Sequence, residues 1–473
     1  MKRSNVLAAL AALGLAVAAT TPAMALENEF HGMFQAQYIN SNFNGAATTS
    51  FPGNNAASYG GDTQYVPFGQ PKHVYSANFV EQRARLGYTA KASSDLKLVT
   101  QFELDYAYWG DSSYGTHRNH GAAIGADQTN IETKNIYLDA NIFKDVNMRL
   151  GMMPYNDSFK SIMFDADMAG IAFSSSYNKF TPTVGFFRFN DTGNSKDNVL
   201  GHMTNDLFVL DGKYEVTKDL KVGAAYYFFR NNANTIDSNA VFTFNTDGAI
   251  TTPQDVKLHV LGLNAEYTAG PLTLNGFGIL QAGTVNTRST TAYALNAGAK
   301  YKVGPGRAHA EFLYVSGDSG TTGHSNAFYA VFNNVGSAEH GYYDNEMVIL
   351  GRDKNAMTTD NSIIATAGNF GQGQIGGYIG YELPLTDRLS TAANAGFAAV
   401  AKDNQAFTPG KNHKSNYLGT EINAEANYKL LENLTTSVRV AYVFLGDYYK
   451  GVALNGETPV NPYDAKIIFK YAF

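Results

Sequence analysis

Every second residue is apolar in the final stretch of the chain, YDAKIIFKYAF. Ala465, Ile467, Phe469, Tyr471 and Phe473 fall on one side, and Lys466, Ile468, Lys470 and Ala472 on the other. Successive side chains of a strand point to opposite faces, so this segment reads as a strand with one wholly apolar face. The period recurs upstream. In 96–108, Leu96, Leu98, Phe102, Leu104 and Tyr106 alternate with Lys97, Gln101, Glu103 and Asp105. In 419–428, Ile422, Ala424, Ala426 and Tyr428 oppose Glu421, Asn423, Glu425 and Asn427, and in 207–216 Phe208, Leu210, Tyr214 and Val216 oppose Asp211, Lys213 and Glu215. Helical spacing fits these dyads poorly. A soluble domain usually ends on loose, polar residues. An aromatic end on an apolar strand face demands burial or lipid.

The connections alternate in length. Short ones fall at 91–95, 143–146, 179–182, 217–220, 269–271, 302–306, 384–388 and 430–433; long, Gly-, Asn-, Ser-, Thr- and Asp-rich ones fall at 40–74, 110–130, 230–255, 317–374, 401–418 and 445–462. Between them lie about eighteen strands, with sixteen as the alternative count. Two of these, 147–153 and 170–178, flank the third long-side connection, and the alternation of 170–178 and 183–190 is mixed. An up-and-down meander with all long loops at one end is the topology of a transmembrane antiparallel β-barrel, with short periplasmic turns and long extracellular loops. A soluble barrel would turn its apolar face inward, and about eighteen strands leave a lumen too wide for side chains to fill. The apolar face is therefore expected to meet lipid and the polar face to line water. The last strand must pair with the first, so that no edge stays open in lipid. In that first strand Phe30, Phe34, Ala36 and Tyr38 point outward, and His31, Gln35 and Gln37 inward.

The N-terminus has the form of a secretory signal peptide: basic Lys2-Arg3, an apolar run over 6–19, and the A-x-A pattern Ala23-Met24-Ala25. Cleavage after Ala25 leaves 26–473 as one barrel domain and moves the formal net charge from −6 to −8. There is no cysteine, which excludes disulfides, c-type haem attachment and thiolate metal centres. Thirty tyrosines, 30 phenylalanines and 46 glycines against 13 prolines and one tryptophan suit pleated strands and turns. A mean hydropathy of −0.23 argues against helical spans. The acidic balance argues against nucleic acid as a partner.

Together these features resemble the Gram-negative outer-membrane porins and, in general look, the abundant porins of metal-reducing deltaproteobacteria. The resemblance implies outer-membrane location among lipid and lipopolysaccharide, assembly as a homotrimer, and a C-terminal signal for the barrel-assembly machinery on Phe469, Tyr471 and Phe473. The stretch NMRLGMMPYNDSF at 147–159, with FDADMAGIAFSSS at 164–176, resembles the porin segment that leads into and out of the third loop. In porins that loop folds into the lumen as a constriction. Here the resemblance places Asp157, Lys160, Asp165 and Asp167 at the narrowest point, and three aspartates against one lysine would favour cations.

Glu81, Arg83, Arg85, Lys97, Glu103, Asp105, Arg149, Arg307, Glu311 and Arg439 occupy lumen-facing positions of the expected strands. Basic and acidic walls across a pore orient and select ions; the plainer reading of any one of them is generic wetting with cross-strand pairing. The Asp165–Asp167 pair lacks the oxygen shell of a hard-cation site, and His117 and His120 lie in a Gly- and Asn-rich loop. No metal or cofactor is expected. Asp344, Asp353 and Asp360 belong to the longest connection, read as an outer loop of little effect on the pore.

No serine-nucleophile motif or catalytic constellation is present, which argues against an enzyme. The first strand begins too soon after Ala25 for a plug domain. The expected function is passive diffusion of small hydrophilic solutes and ions through a water-filled channel. The alternatives are a substrate-specific channel, or a barrel sleeve that holds a periplasmic partner such as a multihaem cytochrome.

Overall fold

The computed structural model describes residues 26–44, 76–106, 109–110, 131–191, 200–202, 204–232, 243–244, 250–251, 255–285, 288–318, 323–332, 341–353, 355–357, 359–364, 366–404, 413–450 and 460–473. The signal-peptide reading and His117 and His120 lie outside these residues. Eighteen long strands form the barrel: β1 (Glu27–Ser41), β2 (Ala77–Ser93), β3 (Leu96–Tyr106), β4 (Glu132–Phe143), β5 (Val146–Asn156), β6 (Asp165–Ser175), β7 (Phe180–Asn190), β8 (Asn205–Thr217) and β9 (Leu220–Asn231), followed by β10 (Val256–Ala269), β11 (Leu272–Val285), β12 (Arg288–Val303), β13 (Gly306–Val315), β14 (Gln374–Pro384), β15 (Leu389–Ala399), β16 (Tyr417–Leu431), β17 (Leu434–Leu445) and β18 (Tyr463–Ala472). Each pairs antiparallel with its sequence neighbours. A two-residue piece at 324–325 joins the same sheet, parallel to β12, and a small hairpin pairs 243–244 with 250–251.

The sheet closes through β1 and β18, with Phe34 opposite Tyr471 and Ala36 opposite Phe469. Beyond the last paired residues, Gly32 and Phe473 exchange backbone hydrogen bonds of 2.8 and 3.0 Å. Gly32 permits this closure, because a Cβ there would come within 2.8 Å of the Phe473 ring. Tyr471 and Phe473 stack on the outside, centroids 5.5 Å apart. No helix among the described residues is long and apolar enough to cross a membrane. The outer surface is instead a band of exposed apolar side chains, such as Leu261, Leu263, Leu295, Ile379 and Val438. That is a lipid-facing exterior.

The lumen departs from expectation. On β8–β13 the inward row is apolar near the extracellular end: Leu207, Val209, Tyr227, Phe229, Val256, Leu258, Val260, Ile279 and Leu313 are all nearly inaccessible. Two inward-folded loops cover this wall, and with it they form a hydrophobic core inside the barrel. A second core joins 347–350 to Leu418, Ala441 and Val443 on β16 and β17. Burying each large apolar side chain contributes about 1.5–3 kcal/mol, so the loops are docked like domain interiors. The segment 317–374, read from sequence as an outer loop, is one of them.

Candidate channel constriction

The third loop is short. β5 runs to Asn156 and β6 starts at Asp165, so only 157–164 leave the wall. Asp157 builds the turn. Its carboxylate accepts backbone N–H groups from Phe159 at 2.5 Å, Met163 at 2.6 Å and Phe164 at 2.8 Å. Left-handed backbone at Lys160 and Ser161 (φ 60° and 63°) then reverses the chain. Phe159 packs edge-on to Tyr227 and Phe277, on the bare backbone of Gly262, where a Cβ would lie 2.2 Å from the ring. Lys160 reaches across to β13 and donates to Glu311 at 2.5 Å, and to Asn275 at 2.8 Å.

The longer loop lies against the first and continues around the lumen. Val331 and Tyr342 donate backbone N–H groups to Met163 and Ser161 at 2.9 and 2.8 Å. The Tyr343 hydroxyl donates to Glu311 at 2.5 Å. Wall charges then pin the loop at intervals. The buried Glu421 carboxylate accepts the N–H groups of Val348, Ile349 and Leu350 at 2.7–2.9 Å. Arg439 holds Asp353, and Lys466 holds Asp360. Glu81 accepts both the N–H and the hydroxyl of Thr359, at 3.1 and 2.8 Å.

Electrostatics at the loop tips follows burial. Desolvation pushes the Asp157 carboxyl up to about 7, against the lowering effect of the N–H groups around it. The Lys160 ammonium is lowered, chiefly by burial, with Glu311 opposing.

Of the four residues placed at the constriction from sequence, the loop brings only Lys160 into the lumen as a charge. Asp157 is buried within its own turn. Asp165 and Asp167 are strand residues on the odd-numbered face of β6, shared with exposed Phe173 and opposite buried Met168 and Ala172. That face points away from the lumen, and Asp167 is bound there by Lys134 at 2.7 Å and Asn135 at 2.6 Å. The preference for cations argued from three aspartates therefore loses its basis.

The ten residues assigned to the pore lining all stand on inward rows, and most are engaged. Arg83 pairs with Asp105 at 2.7 Å, Arg85 with Glu103 at 2.5 Å, Lys97 with Asp139 at 3.3 Å and Arg307 with Glu382 at 2.6 Å. Glu81, Glu311 and Arg439 hold loops. Arg149 makes no ion pair among the described residues, and its guanidinium carbon lies 5.4 Å from the centroid of the Tyr155 ring. Sequence reasoning did not find that Glu421, Lys466, Tyr343 and Asp360 anchor the long loop. Their signal was the apolar run Met347–Leu350 inside a polar connection.

Among the described residues, two polar chambers lie beside the loops, toward the short-turn end. One, of about 550 Å³, lies under the third loop and is lined by Lys160, Lys213, Lys221, Glu215, Glu266 and Asn264. The other, of about 410 Å³, lies under the long loop among Glu346, Asp353, Glu382, Glu425, Asn394 and Arg439. The first is predominantly basic and the second acidic. Both suit small molecules. Neither has room for a folded partner of the kind a sleeve would hold.

No protein-family model matches the chain, and no curated protein does. Solved structures do. OccAB4 of Acinetobacter baumannii covers 96% of this chain and 100% of its own, with a TM-score of 0.52 and 13% identity. OccK5 (OpdH) of Pseudomonas aeruginosa covers 94% and 98%, with a TM-score of 0.51 and 13% identity. OpdK of the same organism, crystallised with vanillate, covers 94% and 98%, with a TM-score of 0.53 and 10% identity. The fold is that of these outer-membrane proteins: an eighteen-stranded, closed, membrane-spanning barrel.

Proposed function

We propose that the protein is an outer-membrane channel, not an enzyme, and that it passes small hydrophilic solutes passively and selectively. The observation that carries this reading is a closed barrel whose lumen is divided by two docked loops into polar chambers of a few hundred Å³. A wide diffusion pore would leave its lumen open, and a sleeve would leave it to a partner. Arg149, without an ion-pair partner among the described residues and lying over Tyr155 beside the intraluminal core, supports small anions among the solutes. The vanillate bound by OpdK is a solute of that size and sign.

Single-channel recording of the purified protein in planar bilayers tests the proposal. It is expected to conduct alone, and removal of 157–164 should raise the conductance. A silent protein that copurifies with a coloured partner would overturn it in favour of the sleeve.

A further inference from the structure

The outer surface of β7–β10 carries an order that transport does not use. Register sets Arg188, Asp206, Arg230 and Lys257 side by side on the outward face, near the extracellular strand ends. Two residues nearer the membrane centre the row is Phe186, Phe208, Phe228 and His259; two further, it is Val184, Leu210, Tyr226 and Leu261. Two strand residues span about 7 Å. Charged, aromatic and aliphatic rows therefore follow one another at the depths of headgroup, girdle and hydrocarbon.

Within the top row Arg188 is engaged, by Asp206 at 2.8 Å and Asp191 at 2.9 Å. Lys257 pairs at 3.1 Å with Asp255, both half exposed. Exposed Arg230, between them, has no ion-pair partner among the described residues. His259 lies on the next row, with Nδ1 2.7 Å from the Tyr226 hydroxyl and its ring 4.8 Å from that of Phe228. With Nδ1 accepting from Tyr226, Nε2 carries the hydrogen and is left as a donor. At the same end of the barrel, the outward positions Asn40 on β1, Ser289 on β12, Phe444 on β17 and Asp165 on β6 are uncharged or acidic, and the basic Lys134 on β4 is held by Asp167 at 2.7 Å.

We propose that this patch holds a phosphate of an outer-leaflet lipid. Arg230 is the bidentate donor, His259 Nε2 the second donor and Lys257 the flanking cation. Guanidinium geometry matches phosphate, and the exposed Leu261 and Leu263 beneath continue the site into acyl-chain depth. That continuity selects a lipid over free phosphate. The assignment requires only that the barrel sit in a membrane, and is independent of what passes through it.

Delipidated protein in detergent would be titrated with lipid A bearing its phosphates and with the same lipid stripped of them, retention being counted by native mass spectrometry. The phosphorylated form should be retained selectively. Arg230→Gln with Lys257→Gln should weaken that retention at least about tenfold, the factor carried by one charge-assisted hydrogen bond. Arg230→Lys should fall between. Lys213→Gln with Lys221→Gln, the same charge loss inside the lumen, should leave retention unchanged. Heat-modifiable mobility on gels confirms that each variant is folded. Equal retention of both lipids, or undiminished retention by the double variant, overturns the proposal. So does a double variant that changes oligomeric state while lipid retention stays constant, since the face would then belong to a second copy of the chain.

Discussion

Lys160 Nζ lies 2.5 Å from Glu311 Oε1, tying the tip of the third loop to the far wall of the lumen. Both groups are largely shielded from water, and Tyr343 of the long loop donates to the same carboxylate oxygen. The contact joins two loops and one wall. Lys160→Met removes the charge-assisted bond and leaves Glu311 facing its remaining neutral donors, Tyr343, Tyr378 and Asn296. Docking should weaken by about 1–3 kcal/mol. Single-channel traces should show higher conductance and more frequent transitions between levels. Traces indistinguishable from wild type would mean that apolar packing alone holds the loop.

The two faces of β10 should both reject charge, for different reasons. Leu263, 61% exposed, faces lipid; Leu263→Arg should cost roughly 2–4 kcal/mol if the residue sits near the bilayer midplane. Val260 faces inward and is fully buried under the loops. Val260→Arg should cost roughly 3 kcal/mol or more, because the guanidinium would be buried without a partner. Urea titrations of protein refolded in liposomes measure both. A well-tolerated Val260→Arg would show that this wall lines water after all.

Asp157 makes loop docking sensitive to pH. Its carboxyl sits at about 7 in the folded loop, against the ordinary carboxylate value of 3.8. A raised acid binds more protons folded than unfolded, so stability falls as pH rises between those values and is constant outside them. Amide exchange at Met163 and Phe164, corrected for its intrinsic pH dependence, should report weaker protection at pH 7.5 than at pH 4. Asp157→Asn should remove the slope, and a slope that survives would assign the titration to another group.

The strand ladder was legible because a two-residue period punctuated by short turns admits few alternatives. It blurred at β6 and β7, where inward Met168, Ala172 and Phe187 are as apolar as their outward neighbours because they join the core under the loops. With the alternation lost, D-A-D read as loop and its aspartates as pore charges. The long loop was misplaced for a related reason: Gly, Asn, Ser and Asp look the same in solvent and in a docked turn. Two traces of burial were nonetheless present. Phe328–Phe332 and Met347–Leu350 are apolar runs inside a polar connection, and Val256, Leu258 and Val260 are apolar where a water-lined wall should be polar. Each half of the intraluminal core was written in a different part of the chain.

The sharpest reversal concerns two sets of aspartates. Asp157, Asp165 and Asp167 were the expected selectivity charges, but two face away from the lumen and the third is enclosed in its turn. Asp165→Asn with Asp167→Asn should therefore leave the reversal potential in a salt gradient unchanged. Asp353 and Asp360, expected to matter little, neutralise Arg439 and Lys466 on the lumen wall, and both ion pairs are nearly inaccessible to bulk water. Changing both to asparagine strips two cations of carboxylate partners where screening is weakest. Glu425 still faces Arg439 at 2.5 Å, and Asp464 lies 3.6 Å from Lys466, so the uncovered charge is partial. The reversal potential should move toward anions, and conductance should rise as 353–360 loosen from the wall. An unchanged potential with raised conductance would mean that these pairs only fasten the loop. A shift from the Asp165 and Asp167 pair equal to that from Asp353 and Asp360 would put β6 in the wrong register.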